Sequence, residues 1–191
     1  MKPTELPILP FESKKKWVDW LAKQHDKSAG VWLKLAKKAT GIPSVTYTEA
    51  LDVALCYGWI DGQKGSFDDK YFLQKFTPRR PKSIWSKINV EKVECLIASG
   101  EMKPAGLKAI EAAKKDGRWA AAYESQKVIS IPEDFQSALE KNKKAQAFFA
   151  TLNSTNRYAF LFRIHTAKKA ETRAKRISQF VEMLERGEKF H

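Results

Sequence analysis

The run LCYGWIDGQK, residues 55–64, sets a thiol (Cys56), a phenol (Tyr57), an indole (Trp59), a carboxylate (Asp61) and an ammonium (Lys64) within ten positions. Nucleophilic or acid–base chemistry needs such groups beside a polarising cation. FTPRRPKSIWSKIN, residues 76–89, supplies two: Pro78 and Pro81 hold Arg79 and Arg80 in extended backbone, where their guanidinium groups can fork onto phosphate or carboxylate oxygens. Trp59 and Trp85 offer stacking faces, and Asp61, Gln63, Ser83 and Asn89 offer hydrogen-bonding groups. The candidate ligand-binding set is therefore Trp59, Asp61, Gln63, Arg79, Arg80, Ser83, Trp85 and Asn89, and the ligand it points to is an anion.

Turnover is a weaker expectation than binding. Cys56 sits in a helical apolar pattern that buries it, whereas reactive thiols are partly exposed in electropositive surroundings. No catalytic residue is assigned; an enzyme using Asp61 as base on a small anionic substrate is the alternative. The same residue types also satisfy backbone rules. Gly58 can end a helix, Asp61-Gly62 is a turn signal, and Arg79 and Arg80 can pair with Asp68 or Asp69.

The elements that must position these groups read as follows. Ser13 caps a helix over about residues 14–25, and GVWLKLAKK alternates Val31, Leu33 and Leu35 against Trp32 and Lys34 as a strand with one buried face. Thr46 and Glu49 stand at capping-box spacing and open a helix that ends at Gly58. DDKYFLQKFTP reads as a strand, paired with a short one around residues 60–65. From Asn89, taken as a cap, the pattern turns helical: Pro104 and Pro132 each open a helix, and Ala170, Ala174, Ile177, Val181 and Leu184 stripe the last one. The expected fold is α+β: a small, mostly antiparallel sheet in residues 1–88, with a helical region 89–191 docked on it, the two forming one integrated domain or two lobes.

The net charge of +13 concentrates toward the end of the chain. Residues 141–191 hold 12 Lys or Arg against 4 Glu. Such a surface attracts polyanions, and Lys169, Arg173 and Arg176, off the apolar stripe, are the candidate nucleic-acid contacts. A further alternative is a protein-interaction module built on the C-terminal helices; it needs an exposed apolar patch, for which Phe148, Phe149, Phe160 and Phe162, close in sequence and not all with obvious core positions, are the candidates. The three His, at 25, 165 and 191, and the two Cys lack metal-ligand spacing, so no metal, cofactor or disulfide is expected. Both Cys56 and Cys95 are expected as small buried hydrophobes. Neither a signal peptide nor a membrane span is visible, which places the protein in the cytoplasm.

Taken in order, GVWLKLAKK, YTEALDVALCYGWIDGQK, FTPRRPKSIWSKIN, ASGEMKPAGLKAIEAAKKDGRW and AKKAETRAKRI resemble the YdeI or OmpD-associated family, also labelled bacteriocin-protection, over nearly the whole chain. The resemblance implies a small bacterial protein whose family name points to protection against bacteriocins or antimicrobial peptides, and it carries no catalytic residues onto this sequence; the first reading is a non-enzymatic, stress-related binder of an anionic partner. Antimicrobial peptides are typically cationic, so a protein at +13 repels them at long range. Any protection is therefore expected to be indirect, through an anionic partner.

Overall fold

The computed structural model describes residues 6–191. Contacts divide them into two compact units: one of residues up to Trp85 together with Asn89–Ala121, the other of Ser86–Ile88 with Ala122–His191. The fold is α+β, with a four-stranded sheet in the N-terminal half and helices concentrated in the C-terminal half.

In the first unit β1 (Ile8–Pro10) leads through α1 (Lys14–Gln24) to β2 (Val31–Ala36), which it pairs in parallel. A 3₁₀ turn at Lys38–Thr40 and α2 (Tyr47–Cys56) precede an antiparallel hairpin of β3 (Trp59–Ser66) and β4 (Tyr71–Pro78). The strand order is β1-β2-β4-β3, and β2 runs antiparallel to β4. The helix starts are local chemistry. Ser13 Oγ accepts from the Lys16 amide, and Thr46 and Glu49 form a reciprocal capping box that holds the Glu49 carboxyl below its ordinary range.

The alternation in β2 is borne out, because Val31, Leu33 and Leu35 are buried against Trp17, Leu21 and Phe76 in one core. Trp17, Trp20 and Trp59 cluster there, Trp59 lying edge-on to both of the others. Buried indoles need a partner for their N–H, and these find backbone: Trp17 donates to the Ala50 carbonyl at 3.0 Å and Trp59 to that of His25 at 2.9 Å.

Two local readings give way to the sheet. Asp61-Gly62 is no turn; it lies inside β3, where the register with β4 shifts between Asp61 and Lys64. The buried Gln74 amide donates to the carbonyls of Gly62 and Gln63, satisfying the backbone that the bulge frees. The turn falls instead at Asp68, whose carboxylate accepts the Lys70 and Tyr71 amides. That duty, rather than pairing with Arg79 or Arg80, is what Asp68 performs. Asn89 is no cap either: α3 (Lys87–Ala98) starts two residues earlier, where Ser86 bridges to Tyr123 and the Lys87 amide donates to the Tyr123 carbonyl.

α4 (Pro104–Lys115) crosses the end of α2 at two glycines. A Cβ on Gly106 would stand 2.3 Å from the Cys56 carbonyl oxygen, and one on Gly58, whose φ is +72°, would stand 2.8 Å from that of Ala105. Only glycine admits this approach. Lys92 on α3 and Asp52 on α2 close the helical layer with a 2.7 Å ion pair.

The second unit packs α5 (Glu133–Glu140), α6 (Lys143–Thr151), α7 (Ser154–His165) and α8 (Ala170–Glu185) around Phe135, Leu139, Phe149, Phe160, Ile164, Ile177, Phe180 and Leu184. The aromatic patch that an interaction module would need does not form from these four rings. Phe149 and Phe160 are core, Phe148 packs against that core, and Phe162 packs edge-on to Tyr123. A patch needs neighbouring faces to point outward together, whereas α6 and α7 turn these rings toward each other. The α8 stripe holds at Ile177, Val181 and Leu184, while Ala170 and Ala174 are exposed. No helix among the described residues is long and apolar enough to cross a membrane.

Candidate functional site

Between the end of α2, the open end of the β3–β4 hairpin and α4 lies a cleft of about 490 Å³, within the range of small-ligand sites. Its walls are made by three pieces of chain. The first is Tyr57, Gly58 and Trp59, where α2 passes into β3. The second is Pro78 to Pro81, where β4 ends. The third is one face of α4, with Ala105, Lys108, Ala109 and Ala112 repeating every three or four residues. His25 and Arg118 complete it.

Arg79 is held in place from two sides. Its amide donates to the Gly58 carbonyl at 3.0 Å, continuing the hairpin pairing past Pro78. Its guanidinium carbon lies 3.6 Å above the Trp85 ring, and its Nη1 donates to the Ile84 carbonyl. Arg80 is exposed; its amide donates to Ser83 Oγ, which fixes the bend after β4, and its side chain makes no ion pair or hydrogen bond among the described residues. Lys108 is likewise exposed and without an ion pair among the described residues. Arg118 is buried, donating through Nε to both Asp116 oxygens at 2.7–2.8 Å and through Nη1 to the Ser83 carbonyl. His25 binds the Leu21 carbonyl through Nδ1. Apart from the Tyr57 phenol, whose pKa is raised by burial, every titratable group lining the cleft among the described residues is a base.

The structure brings Trp59, Arg79 and Arg80 together on this cleft. It changes what the other residues can do. Trp85 is 1% exposed and lies beneath Arg79, so its face is taken by the guanidinium rather than offered to a ligand. Trp59 is equally buried and contributes wall. Ser83 shapes the loop through both its hydroxyl and its carbonyl. Asp61 is spent on the Tyr47 hydroxyl at 2.8 Å, and together burial and that carboxylate raise the Tyr47 pKa. Gln63 projects from the bulge of β3, and Asn89 lies in the first turn of α3; neither lines the cleft.

Lys108, Arg118 and His25 escaped sequence reasoning. The one signal was the small-residue repeat of α4, which leaves Lys108 standing over a low surface. Of the three cations proposed for nucleic acid, Arg173 forks onto Asp134 at 2.6 and 2.8 Å and also donates to the Ile164 carbonyl. Arg176 donates to the Arg163 carbonyl, and Lys169 stands exposed before α8. Cys56 is buried, with its pKa pushed up to about 11 by desolvation, but Cys95 is exposed, because α3 turns it away from Val93 and Leu96; both thiols are free. Among the described residues, no group of three His, Cys, Asp or Glu is placed to hold a metal ion.

A family model described as a domain of unknown function (DUF8412) matches residues 9–109, more than half of the chain. The chain belongs to that family. The DUF8412 segment carries the sheet, α1 to α3 and the start of α4, and it holds every residue of the cleft but Ala112 and Arg118. Residues 128–187 match a second family model, described as bacteriocin-protection, YdeI or OmpD-associated. That match covers the C-terminal part of the chain. Of the runs that resembled this family, AKKAETRAKRI falls inside it, whereas LCYGWIDGQK and FTPRRPKSIWSKIN fall inside the DUF8412 segment. No curated protein and no solved structure matches the chain.

Proposed function

We propose that this DUF8412 protein is a cytoplasmic, non-enzymatic binder of a small phosphorylated or carboxylated molecule, held in the cleft between the β4 end and α4. The observation that carries the reading is the sign of the lining: Arg79, Arg80 and Lys108 converge on it, with Arg118 beside them on the Asp116 carboxylate, and among the described residues no carboxylate lines it. A guanidinium pre-oriented on an indole loses little freedom when it forks onto an anion. Arg80 and Lys108 supply charge that the fold has not already committed. Binding rather than turnover is supported by what the reactive groups are doing. The Cys56 thiol is held protonated by burial, and the Asp61 carboxylate accepts the Tyr47 hydroxyl. The bacteriocin protection named in the second family's description would then run through the anion, since the net charge of +13 repels cationic peptides.

Thermal unfolding and calorimetry with pyrophosphate as probe test this. Saturable binding that weakens at least tenfold in Arg80→Ala and Lys108→Ala, with only a shallow salt dependence, is the expected result. The absence of any saturable binding, or binding indifferent to both substitutions, overturns it.

A further inference from the structure

The sheet has a second face that the cleft does not use. Helices α1 and α2 bury the side carrying Val31, Leu33, Leu35 and Phe76. The β2–β4 register places Trp32 opposite Lys75, Lys34 opposite Leu73 and Ala36 opposite Tyr71, all on the other side. Gly65 joins them from β3 and Ile8 from β1. Every one of these positions is partly or fully exposed, Ile8 and the adjoining Phe67 at 45% each.

What that face displays is aromatic rings and ammonium groups. Cζ3 of Trp32 reaches to 3.9 Å from where a Cβ of Gly65 would stand, two strands away, so the indole lies across β4 along the sheet instead of standing up from it. Lys75 Nζ is 5.7 Å from the Trp32 ring centroid. Lys34 Nζ lies 4.2 Å from the Tyr71 ring and 4.4 Å from that of Phe67. Among the described residues no strand position on this face is acidic. At the hairpin end Lys37, Lys38 and Lys64, together with Asp68, line a further depression beside Gly65, and beyond β1 a cleft of about 900 Å³ carries Lys34 and Tyr71 on toward Lys16, Lys23 and Trp20, with Glu12 and Asp19 also in its walls.

We infer that this open face is a platform for single-stranded nucleic acid, with Trp32 and Tyr71 stacking bases and Lys34 and Lys75 meeting the phosphates. Charge and ring faces together specify that class: lysines alone would take any polyanion, and rings alone would take any flat apolar group. Spacing excludes a single nucleotide. Trp32 and the Tyr71 partner Ala36 are four residues apart on β2, about 14 Å at the usual strand rise, so one base cannot reach both rings and a run of bases can. Between the two rings stand Lys34 and Leu73, an ammonium and an apolar side chain, which suit the phosphates and splayed bases of a single strand better than a duplex whose bases are stacked inside.

Fluorescence anisotropy with labelled dT12 and U12, beside a 12-base-pair duplex and vesicles of phosphatidylcholine with phosphatidylserine, tests the inference on the full chain. Both single strands are expected to bind at about 50 mM salt, with any difference between them reporting the 2′-hydroxyl. Trp32→Ala should weaken binding about 5- to 150-fold, the effect of losing one stacked base. Lys34→Gln with Lys75→Gln should lower the salt slope by about 1.4; at these partly exposed positions glutamine keeps most of the side-chain stem, so the fold is retained even if Trp32→Ala loosens it. The Arg79→Ala, Arg80→Ala double variant should leave dT12 binding unchanged. The inference is overturned by no binding of either strand, by duplex or vesicle binding as tight and as dependent on Trp32, or by loss of binding through Arg79 and Arg80 instead.

Discussion

The guanidinium carbon of Arg79 stands 3.6 Å from the centroid of the Trp85 ring, and the ring is almost wholly buried beneath it. Arg79 is therefore part of the fold as well as part of the cleft, whereas Arg80, the next residue, is exposed. The two should separate on substitution. Arg79→Ala is expected to cost about 1–2 kcal/mol of stability as well as pyrophosphate affinity, since it uncovers a desolvated cation–π pair. Arg80→Ala should weaken binding and leave the denaturant midpoint within about 0.5 kcal/mol of the parent. Urea titration beside calorimetry reads both quantities, and equal stability losses in the two variants would contradict the distinction.

Gly106 is where α4 meets the end of α2, and a Cβ there collides with the Cys56 carbonyl and the Met102 sulfur. Backbone cannot move aside as cheaply as a side chain. Gly106→Ala should cost about 1–3 kcal/mol as overpacking, although alanine favours helix elsewhere. Gly100→Ala is a useful companion, because its strain comes from its φ of +74° with open space around it. Only the Gly106 variant should also disturb the cleft, which α4 walls.

Asp134 and Arg173 join α5 to α8 through two short hydrogen bonds. The Arg173 hydrogen bonds hold the Asp134 carboxyl below its ordinary range against an opposing desolvation. A carboxyl whose folded pKa is depressed stabilises the fold above its unfolded pKa, and that contribution disappears as pH falls through the folded value. Both side chains are partly solvated, so the pair is worth about 0.5–1 kcal/mol. Asp134→Asn should therefore lower stability at pH 7 and make the acid limb shallower, as followed by denaturant midpoints from pH 7 down to pH 3. A parallel displacement of the whole curve would assign the loss to packing.

The two thiols differ in their surroundings. Burial raises the Cys56 pKa to about 11, and Cys95 is on the surface. Since the thiolate is the reactive form, a disulfide reagent at pH 7.5 should titrate one thiol in the native protein and two in guanidinium. Cys95→Ser should abolish the native reaction, and rapid native labelling of Cys56 would mean that the end of α2 opens.

Information carried within a few residues was readable from sequence. The Ser13 cap, the Thr46–Glu49 capping box, the β2 alternation and the stop of α2 at Gly58 each depend on neighbours one to four positions away, and each stands as expected. The α+β class followed from the order of such elements. Arg79 and Arg80 stood out because Pro78 and Pro81 bracket them, and both line the cleft. Tertiary structure decided what depends on partners far along the chain. Asp61-Gly62 became part of a bulge because Gln74, across the hairpin, satisfies the Gly62 and Gln63 carbonyls. Trp85 was taken up by Arg79, and Phe149 and Phe160 were turned into a core by α8. Lys108 reached the cleft because two glycines let α4 approach α2. A residue's type and local spacing set what its side chain can do, and the register and packing of distant elements set which groups it meets.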